Sequence, residues 1–365
     1  MTDSPDAFFM ARAIALAKKG RYTTDPNPRV GCVLVKDGVI IGEGWHVRAG
    51  FEHAEINALK SVPHDQNAAG ATAYVTLEPC SHQGKTPPCC DALIKANVAR
   101  VVVAMQDPNR LVSGQGLQKL LAAGVEITCG VLEKDAQALN PGFIKRMTQN
   151  RPFVRSKLAM SLDGRTALAS GESKWITSTQ ARADVQRLRA QSSAILTGIN
   201  TVLADDPQMN VRGIEEVLQP IRVVLDSQLK MPLTAKMAGL EGRSLILTGS
   251  NDLNKRQALQ AVGFEVYQLE TKDDRLDLSA VMAFLAEQEV NEVLVEAGSI
   301  LNGALMAGDW VDEWIVYMAP CVLGDQSRGL FSIPGLHTMA DKKNLSLREV
   351  RQVGPDLKLT LSSAS

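Results

Sequence analysis

The chain of 365 residues predicts a two-domain α/β protein. Short apolar runs of strand length alternate with helically spaced stretches in both halves, the pattern of sheets covered by helices. A Pro-, Gly- and Asn-punctuated stretch from Leu139 to Pro152 divides the chain near residue 147, giving expected domains 1–147 and 148–365. The two halves carry different chemistry. His-x-Glu and five of the six cysteines lie in the first, and the second has only Cys321.

Composition excludes several classes of function. Apolar residues make up 45% of the chain, enough for sizeable cores. The net charge of -1 gives no basic face for a nucleic-acid polymer. Six cysteines in a chain this long are too few for a disulfide scaffold, so a reducing cytoplasm is expected. The polar, acidic start from Met1 to Asp6 lacks the features of a signal peptide. No uncharged apolar run of about 18 residues suggests a membrane helix.

In the first half, Phe8 to Lys19 reads as an amphipathic helix stopped by Gly20. A turn at Thr24 to Pro28 follows. Val30 to Lys36 and Val39 to Gly44 are strands joined by a two-residue Asp37-Gly38 hairpin turn. His46 stands just beyond. His53 to Val62 has helical spacing at Ile56 and Leu59. Residues two apart do not face each other in mid-helix, so His53 and Glu55 can serve one site only at the helix start. Ala71 to Thr76 is a strand running into Leu77-Glu78-Pro79-Cys80. Pro87-Pro88-Cys89-Cys90 opens the next helix, where proline is tolerated because its missing N–H would have been unpaired. Ala99 to Met105 is a buried strand, Leu117 to Ala123 a helix ended by Gly124, and Val125 to Cys129 a strand.

His53, Cys80 and one of Cys89 and Cys90 have the makings of a metal site, with Glu55 beside it. Each piece is common alone. Their order, each at a loop-to-helix junction, is what points to zinc. Three protein ligands leave the fourth position open for water, the catalytic arrangement, and Glu55 can carry protons beside it. Adjacent residues at a helix start point in different directions, so one of the two cysteines is a ligand and the other a buried small hydrophobe. Cys32, Cys129 and Cys321 read as packing residues, and His64 and His82 as solvent-facing. The order is that of the zinc deaminases, His-x-Glu then Pro-Cys-x-x-Cys. Here, however, eight residues, Ser81 to Pro88, separate the thiols, and they carry Lys85. Lys85 is either a solvated surface residue or a point charge for a phosphate.

The second half opens with a strand, Pro152 to Ser161, and a turn at Leu162-Asp163-Gly164. Gly171 to Ser178 is a loop, with Ser178 capping a helix from Thr179 to Gln191. Ser193 to Thr197, Ile221 to Asp226, Ser244 to Thr248 and Val293 to Val295 are buried strands. Gly298 precedes a helix, Ser299 to Gly308. Trp314 to Met318 and Lys358 to Leu361 close the sheet. Glycines at strand ends suit phosphate binding at helix starts. The absence of Gly-x-Gly-x-x-Gly argues against a Rossmann site.

Asn27-Pro28-x-Val30-Gly31-Cys32, His53-Ala54-Glu55, Thr76-Leu77-Glu78-Pro79-Cys80-Ser81-His82 and Gly84-Lys85-Thr86-Pro87-Pro88-Cys89 closely resemble the deaminase half of the bifunctional riboflavin-biosynthesis deaminase/reductases. Lys157 with Ser161-Leu162-Asp163-Gly164-Arg165, Gly171-Glu172-Ser173-x-Trp175-Ile176, Thr201 to Pro207 and Val295-Glu296-Ala297-Gly298 resemble the reductase half. The resemblance implies a cytidine-deaminase-like three-layer α/β domain followed by a dihydrofolate-reductase-like α/β domain. It implies zinc ligands His53, Cys80 and Cys89, a Glu55 proton shuttle, and substrate contacts at Asn27, His46, Lys85 and Asp107. In the second domain it implies NADPH contacts at Ala159, Trp175, Thr201, Asp205, Ser227 and the run Gly298, Ser299, Ile300, Leu301, Asn302, Gly303 and Ala304. Ser173, Arg189, Met209, Arg212 and Glu296 would face the substrate, although Met209 departs from the family's usual aliphatic type. Lys157 and Glu296 are the acid/base candidates of the reduction. The implied substrate is 2,5-diamino-6-(5-phosphoribosylamino)pyrimidin-4-one, deaminated and then reduced to its ribityl form. The expected partners are that small phosphorylated pyrimidine and further copies of the chain, as a dimer or tetramer, with no nucleic acid and no membrane.

Overall fold

The computed structural model describes residues 4–81, 87–110 and 112–363. They divide into two compact units, Met1–Asn150 and Arg151–Ser365.

The first unit is built on a five-stranded sheet: β1 (Gly31–Lys36), β2 (Val39–Trp45), β3 (Thr72–Val75), β4 (Arg100–Val103) and β5 (Glu126–Cys129), in the order β2-β1-β3-β4-β5. β1 runs antiparallel to β2 and β3, and β3, β4 and β5 are parallel. Asp37 and Gly38, both at positive φ, make the tight hairpin turn. Strand alternation divides the side chains between two helical layers. Cys32, Leu34, Ala73, Val75, Val101 and Val103 meet α2 (Ala54–Lys60), α3 (Cys89–Lys95) and α4 (Gln115–Ala122). Val33, Val35, Tyr74 and Val102 meet α1 (Pro5–Ala17), α5 (Glu133–Gln137) and α6 (Pro141–Gln149). The expected three layers are therefore present. α1 begins earlier than expected because Pro5 occupies its first turn. Gly44 lets α2 lie directly on the hairpin; a Cβ there would stand 2.4 Å from the Ala54 carbonyl oxygen.

The stretch that reads as a linker contains α6, whose Phe143 and Ile144 pack on the core of the first unit, and the two units part after Asn150, near the expected 147. Asn140 is buried rather than part of a loose loop. Its Oδ1 accepts from the Arg29 backbone N–H at 2.8 Å, and its Nδ2 donates to the Arg29 carbonyl at 2.9 Å. Cys129, taken for a packing residue, ends its strand exposed.

The second unit has a nine-stranded sheet. Its strands are β6 (Phe153–Ser161), β8 (Ala194–Gly198), β9 (Ile221–Leu225), β10 (Ser244–Thr248), β11 (Glu265–Gln268), β14 (Glu292–Val295), β15 (Glu313–Ala319), β17 (Leu345–Val353) and β18 (Asp356–Ser363). The order is β11-β10-β9-β8-β14-β6-β15-β18-β17, parallel from β11 to β15 and antiparallel beyond. Two short ribbons stand apart: β7 (Arg165–Ala167) with β16 (Arg328–Gly329), and β12 (Thr271–Lys272) with β13 (Arg275–Leu276). One sheet face is covered by α10 (Leu278–Glu287) and α11 (Ser299–Ala307). The other carries α7 (Thr179–Ala190), α8 (Ile199–Asp205) and α9 (Leu253–Ala261). Ser178 caps α7 as expected, its side chain accepting from the Ala181 N–H at 3.2 Å. β17 was not anticipated, because its exposed, polar edge lacks a buried apolar row. Among the described residues no helix is long and apolar enough to cross a membrane.

Asn140→Ala leaves the part-buried N–H and carbonyl of Arg29 without this partner. The first domain should lose about 1–3 kcal/mol, read as an earlier urea midpoint of its unfolding.

Candidate active sites

Two helix starts and the loop leaving β3 converge in the first unit. His53 is the residue before α2, in extended conformation, and Glu55 lies in that helix's first turn. Cys89 is the first residue of α3, behind Pro88. Cys80 follows β3 through Leu77-Glu78-Pro79. The His53 Nδ1 lies 3.2 Å from the Cys89 Sγ and 3.6 Å from the Cys80 Sγ. One ligand atom from each residue falls within 4.8 Å of the others. A tetrahedral zinc with Zn–S about 2.3 Å and Zn–N about 2.05 Å needs its N and S donors about 3.6 Å apart, so these residues fit the ion. The Cys89 thiol, which keeps its own proton beside it, and the imidazole pull the Cys80 thiol down to about 4, against its burial. Thiolate is the form a metal needs.

The Cys89–Cys90 alternative resolves by direction. Cys90 is fully buried, and its Sγ donates to the Pro79 carbonyl at 3.2 Å and the Gly116 carbonyl at 3.5 Å. Glu55 is 3% exposed, and burial pushes its carboxyl up to about 7, against the opposing His53 charge. His46 is buried and turns its ring edge toward His53, with centroids 5.3 Å apart. Its Nδ1 must donate to the Glu52 carbonyl, 3.0 Å away, so Nε2 accepts from the Asn27 Nδ2 at 3.1 Å. Burial lowers the His46 pKa and keeps the ring neutral. Asp107 is half-buried, and its Oδ1 accepts from the Asn109 N–H at 2.8 Å. Lys85 and His82 lie outside the described residues; His64 is exposed, as expected. Sequence reasoning gave Glu78 no part. It is 6% exposed and accepts backbone N–H bonds from Asp107, Gly114, Gly116 and Leu117. Its only sequence signal is an acid at the mouth of an apolar strand.

In the second unit the parallel strands end together. The register that pairs Val295 with Ser156 and with Leu196 sets Glu296 beside Lys157. Arg189, from α7, grips Glu296 with two bonds of 2.6 and 2.9 Å and donates to the Asn210 carbonyl at 2.9 Å. Burial would raise the Glu296 carboxyl, but Arg189 outweighs it and holds the pKa low. Burial lowers the Lys157 pKa, partly opposed by Glu296. Arg212 is exposed, with Gln208 at 3.5 Å. Met209 faces inward, 2% exposed in the core that contains Ile195 and Val202.

Ala159 lies on β6 opposite Tyr317. Ser173 is half-buried in the loop before α7; Trp175, 70% exposed, has the Arg182 guanidinium 4.5 Å over its ring. Thr201 and Asp205 lie on α8, with Asp205 3.4 Å from Lys174. The Ser227 Oγ accepts from the Leu276 N–H at 3.2 Å. The run from Gly298 to Ala304 does not act as one surface, because a helix turns its residues to different sides. Gly298 precedes α11, and a Cβ on it would meet nothing within 4 Å. Ser299 and Leu301 are half-buried and Ile300 exposed. Asn302 is fully buried, bonded to Ser156 Oγ at 2.6 Å and the Ala297 carbonyl at 2.7 Å. Gly303 packs against the Ser332 backbone. The open glycine at a helix start, beside strand ends, fits a phosphate-bearing cofactor such as NADPH.

Comparison with known proteins follows the same division. Residues 3–105 match the family model of the cytidine and deoxycytidylate deaminase zinc-binding region, and residues 152–359 that of the RibD C-terminal domain. The riboflavin biosynthesis protein RibD of Escherichia coli (strain K12) is 50% identical over 98% of this chain and 100% of its own. That of Haemophilus influenzae is 49% identical over 98% and 97%. The solved structure of Acinetobacter baumannii RibD, form 1, superposes with a TM-score of 0.91 at 47% identity, covering 99% of both chains. The diaminohydroxyphosphoribosylaminopyrimidine deaminase/5-amino-6-(5-phosphoribosylamino)uracil reductase of Thermotoga maritima does so with 0.87 at 34% identity, again covering 99% of both.

Metal analysis separates the two neighbouring thiols. Cys89→Ser should lose zinc by 100-fold or more in affinity, about 3 kcal/mol; Cys90→Ala should keep it bound.

Proposed function

The chain belongs to the family of bifunctional riboflavin-biosynthesis deaminase/reductases, and from that membership we propose how its own residues divide the work. The enzyme deaminates 2,5-diamino-6-(5-phosphoribosylamino)pyrimidin-4-one hydrolytically and then reduces the ribosyl chain to ribityl phosphate with NADPH. The observation that carries the first assignment is the buried Glu55, in the first turn of α2 two residues after His53, beside three converging N and S donors.

Zinc held by His53, Cys80 and Cys89 supplies Lewis acidity and makes water a usable nucleophile near neutral pH. Glu55 takes the proton of the attacking water and delivers it to the ring nitrogen, then takes the proton of the hydroxyl so formed and passes it to the departing amino group, which leaves as ammonia. Its burial supports that role, since a carboxyl raised to about 7 exchanges protons in both directions near neutrality. Neutral His46 holds Asn27 in place, and Asn27 orients the base. Asp107 and Lys85 complete the substrate contacts, with Lys85 on the phosphate.

In the second domain NADPH supplies hydride to C1 of the opened ribose. Ala159, Trp175, Thr201, Asp205, Ser227 and the exposed start of α11 hold the cofactor. Ser173, Arg212 and the Glu296 carboxylate face the substrate, with Met209 supporting that wall from beneath. The Arg189 fork is already taken by Glu296, so Arg212 is the phosphate ligand and Arg189 sets the carboxylate's position. Lys157, beside Glu296, donates the proton. The free thiols of all six cysteines support a reducing cytoplasm as its location. Self-association as a dimer or tetramer is part of the same proposal, and sedimentation of the purified chain checks it.

Following ammonia and NADPH separately tests both halves. Glu55→Gln should keep its zinc and its reductase activity while ammonia release falls by about 10²–10⁴-fold; retained deamination removes the shuttle role. Lys157→Met should slow NADPH oxidation by about 10²-fold or more and leave ammonia release alone. Full reductase turnover in that variant rules Lys157 out as the proton donor.

A further inference from the structure

Two positions before Cys80, a carboxylate lies buried without any cationic partner among its described hydrogen bonds. The Glu78 Oε1 accepts from the Gly116 N–H at 2.9 Å and the Leu117 N–H at 3.4 Å; Oε2 accepts from the Gly114 N–H at 2.9 Å and the Asp107 N–H at 3.1 Å. All of these donors are backbone amides. They come from one segment, the loop after β4 and the start of α4, where Gly114 sits at φ 79°. A carboxylate fits because amides at a helix start lack intrahelical acceptors and carry partial positive charge. Helix capping alone needs only the amides of α4. The bond to Asp107 goes further, because it reaches the other end of the loop.

The same junction is tied to both ligand-bearing segments. The Cys90 N–H donates to the Cys80 carbonyl at 3.2 Å, and the Cys90 thiol reaches the carbonyls of Pro79 and Gly116. Gly116 is packed so closely that a Cβ would lie 2.1 Å from the Pro79 carbonyl oxygen and 3.1 Å from the Glu78 Oε1. The Glu78 N–H itself donates to the Met105 carbonyl at 3.0 Å, at the end of β4. Glu78 thus joins the segment carrying Cys80 to the segment carrying Asp107 through main-chain atoms, which substitutions at surface positions do not disturb.

We propose that Glu78 is a positioning residue of the deaminase: it fixes the Asp107 backbone relative to the Cys80 loop, and so sets where the Asp107 carboxylate meets the pyrimidine substrate. The inference rests on Asp107 being a substrate contact. Glu78 touches neither metal nor substrate in this role. Its removal should misplace a binding group and raise KM more than it lowers kcat, because the proton carrier Glu55 stands on a different helix.

The test uses the full-length, zinc-loaded chain as Glu78→Gln, Asp107→Ala and the double variant. Glutamine keeps the shape but turns an NH₂ toward amides that need an acceptor. Expected is a KM for ammonia release about tenfold higher in E78Q, with kcat changed less, zinc retained, and NADPH oxidation on the deaminated substrate intact. In the D107A background the same substitution should add less than about twofold, since coupled residues are non-additive. An unchanged KM in E78Q, or the same increase with and without Asp107, overturns the proposal. D107A without any effect on KM defeats the substrate-contact assignment instead, and the inference falls with it; the single variant tells the two failures apart. Hydrogen exchange in the unsubstituted enzyme gives a second measurement that does not depend on E78Q folding. The amides of Asp107, Gly114 and Gly116 should exchange slowly, and exchange at the rate of an unstructured loop overturns the clamp.

Discussion

Three donor atoms on separate segments of the first domain must come within one ion's reach, and most of that domain's architecture serves this requirement. Cys80 and Cys89 lie 27 and 36 residues beyond His53 along the chain. No local conformation can bring them together. A parallel strand order can, because β3 and β4 end on the same side and the helices that follow or precede them start there. His53 and Cys89 then sit where the chain turns into a helix, and Cys80 in the loop that leaves β3. Such positions point side chains away from the sheet while their backbone stays anchored to it. Gly44 and Gly116 are among the places where this packing leaves no room for a Cβ.

The second domain meets a different constraint with the same geometry. Lys157, Arg189 and Glu296 are three ionisable groups gathered at the ends of buried strands. Desolvation opposes the charged form of each; the Arg189–Glu296 pair outweighs it for both partners, whereas at Lys157 burial prevails over the Glu296 charge. The bidentate Arg189–Glu296 pair holds a carboxylate ionised in a place that would otherwise neutralise it. A fixed negative charge beside a desolvated lysine is an arrangement that can deliver a proton at a defined point. Each domain thus buries an ionisable group that burial shifts, the Glu55 carboxyl upward and the Lys157 amine downward.

Much of this was legible before any coordinates. The His-x-Glu pair could share a site only at a helix start, and His53 does stand immediately before α2. Ser178 announced its helix by type and position, and it caps α7. Other residues misled for identifiable reasons. Asn140-Pro141-Gly142 has the composition of a linker, yet Pro141 opens a helix whose apolar residues reach the core. β17 lacks apolar alternation because it lies at a sheet edge with exposed faces. The stretch from Gly298 to Ala304 matched as a block, while the helix sends Asn302 and Gly303 inward.

What the sequence determined by itself is the chemistry: which residue types are present, in what order, and at which strand-to-helix boundaries. Those features depend on local propensity and short spacing; they point to a zinc site of deaminase type in the first half, while the reductase of the second half was named only through its family resemblance. The tertiary structure alone decided direction. It turned Cys89 toward His53 and Cys90 into the core, set the Arg189 fork on Glu296, and aimed the Glu78 carboxylate at four amides of another segment. The physical reason is that a side chain's direction follows from how elements pack and which backbone groups they leave unpaired, and both are properties of the assembled sheet.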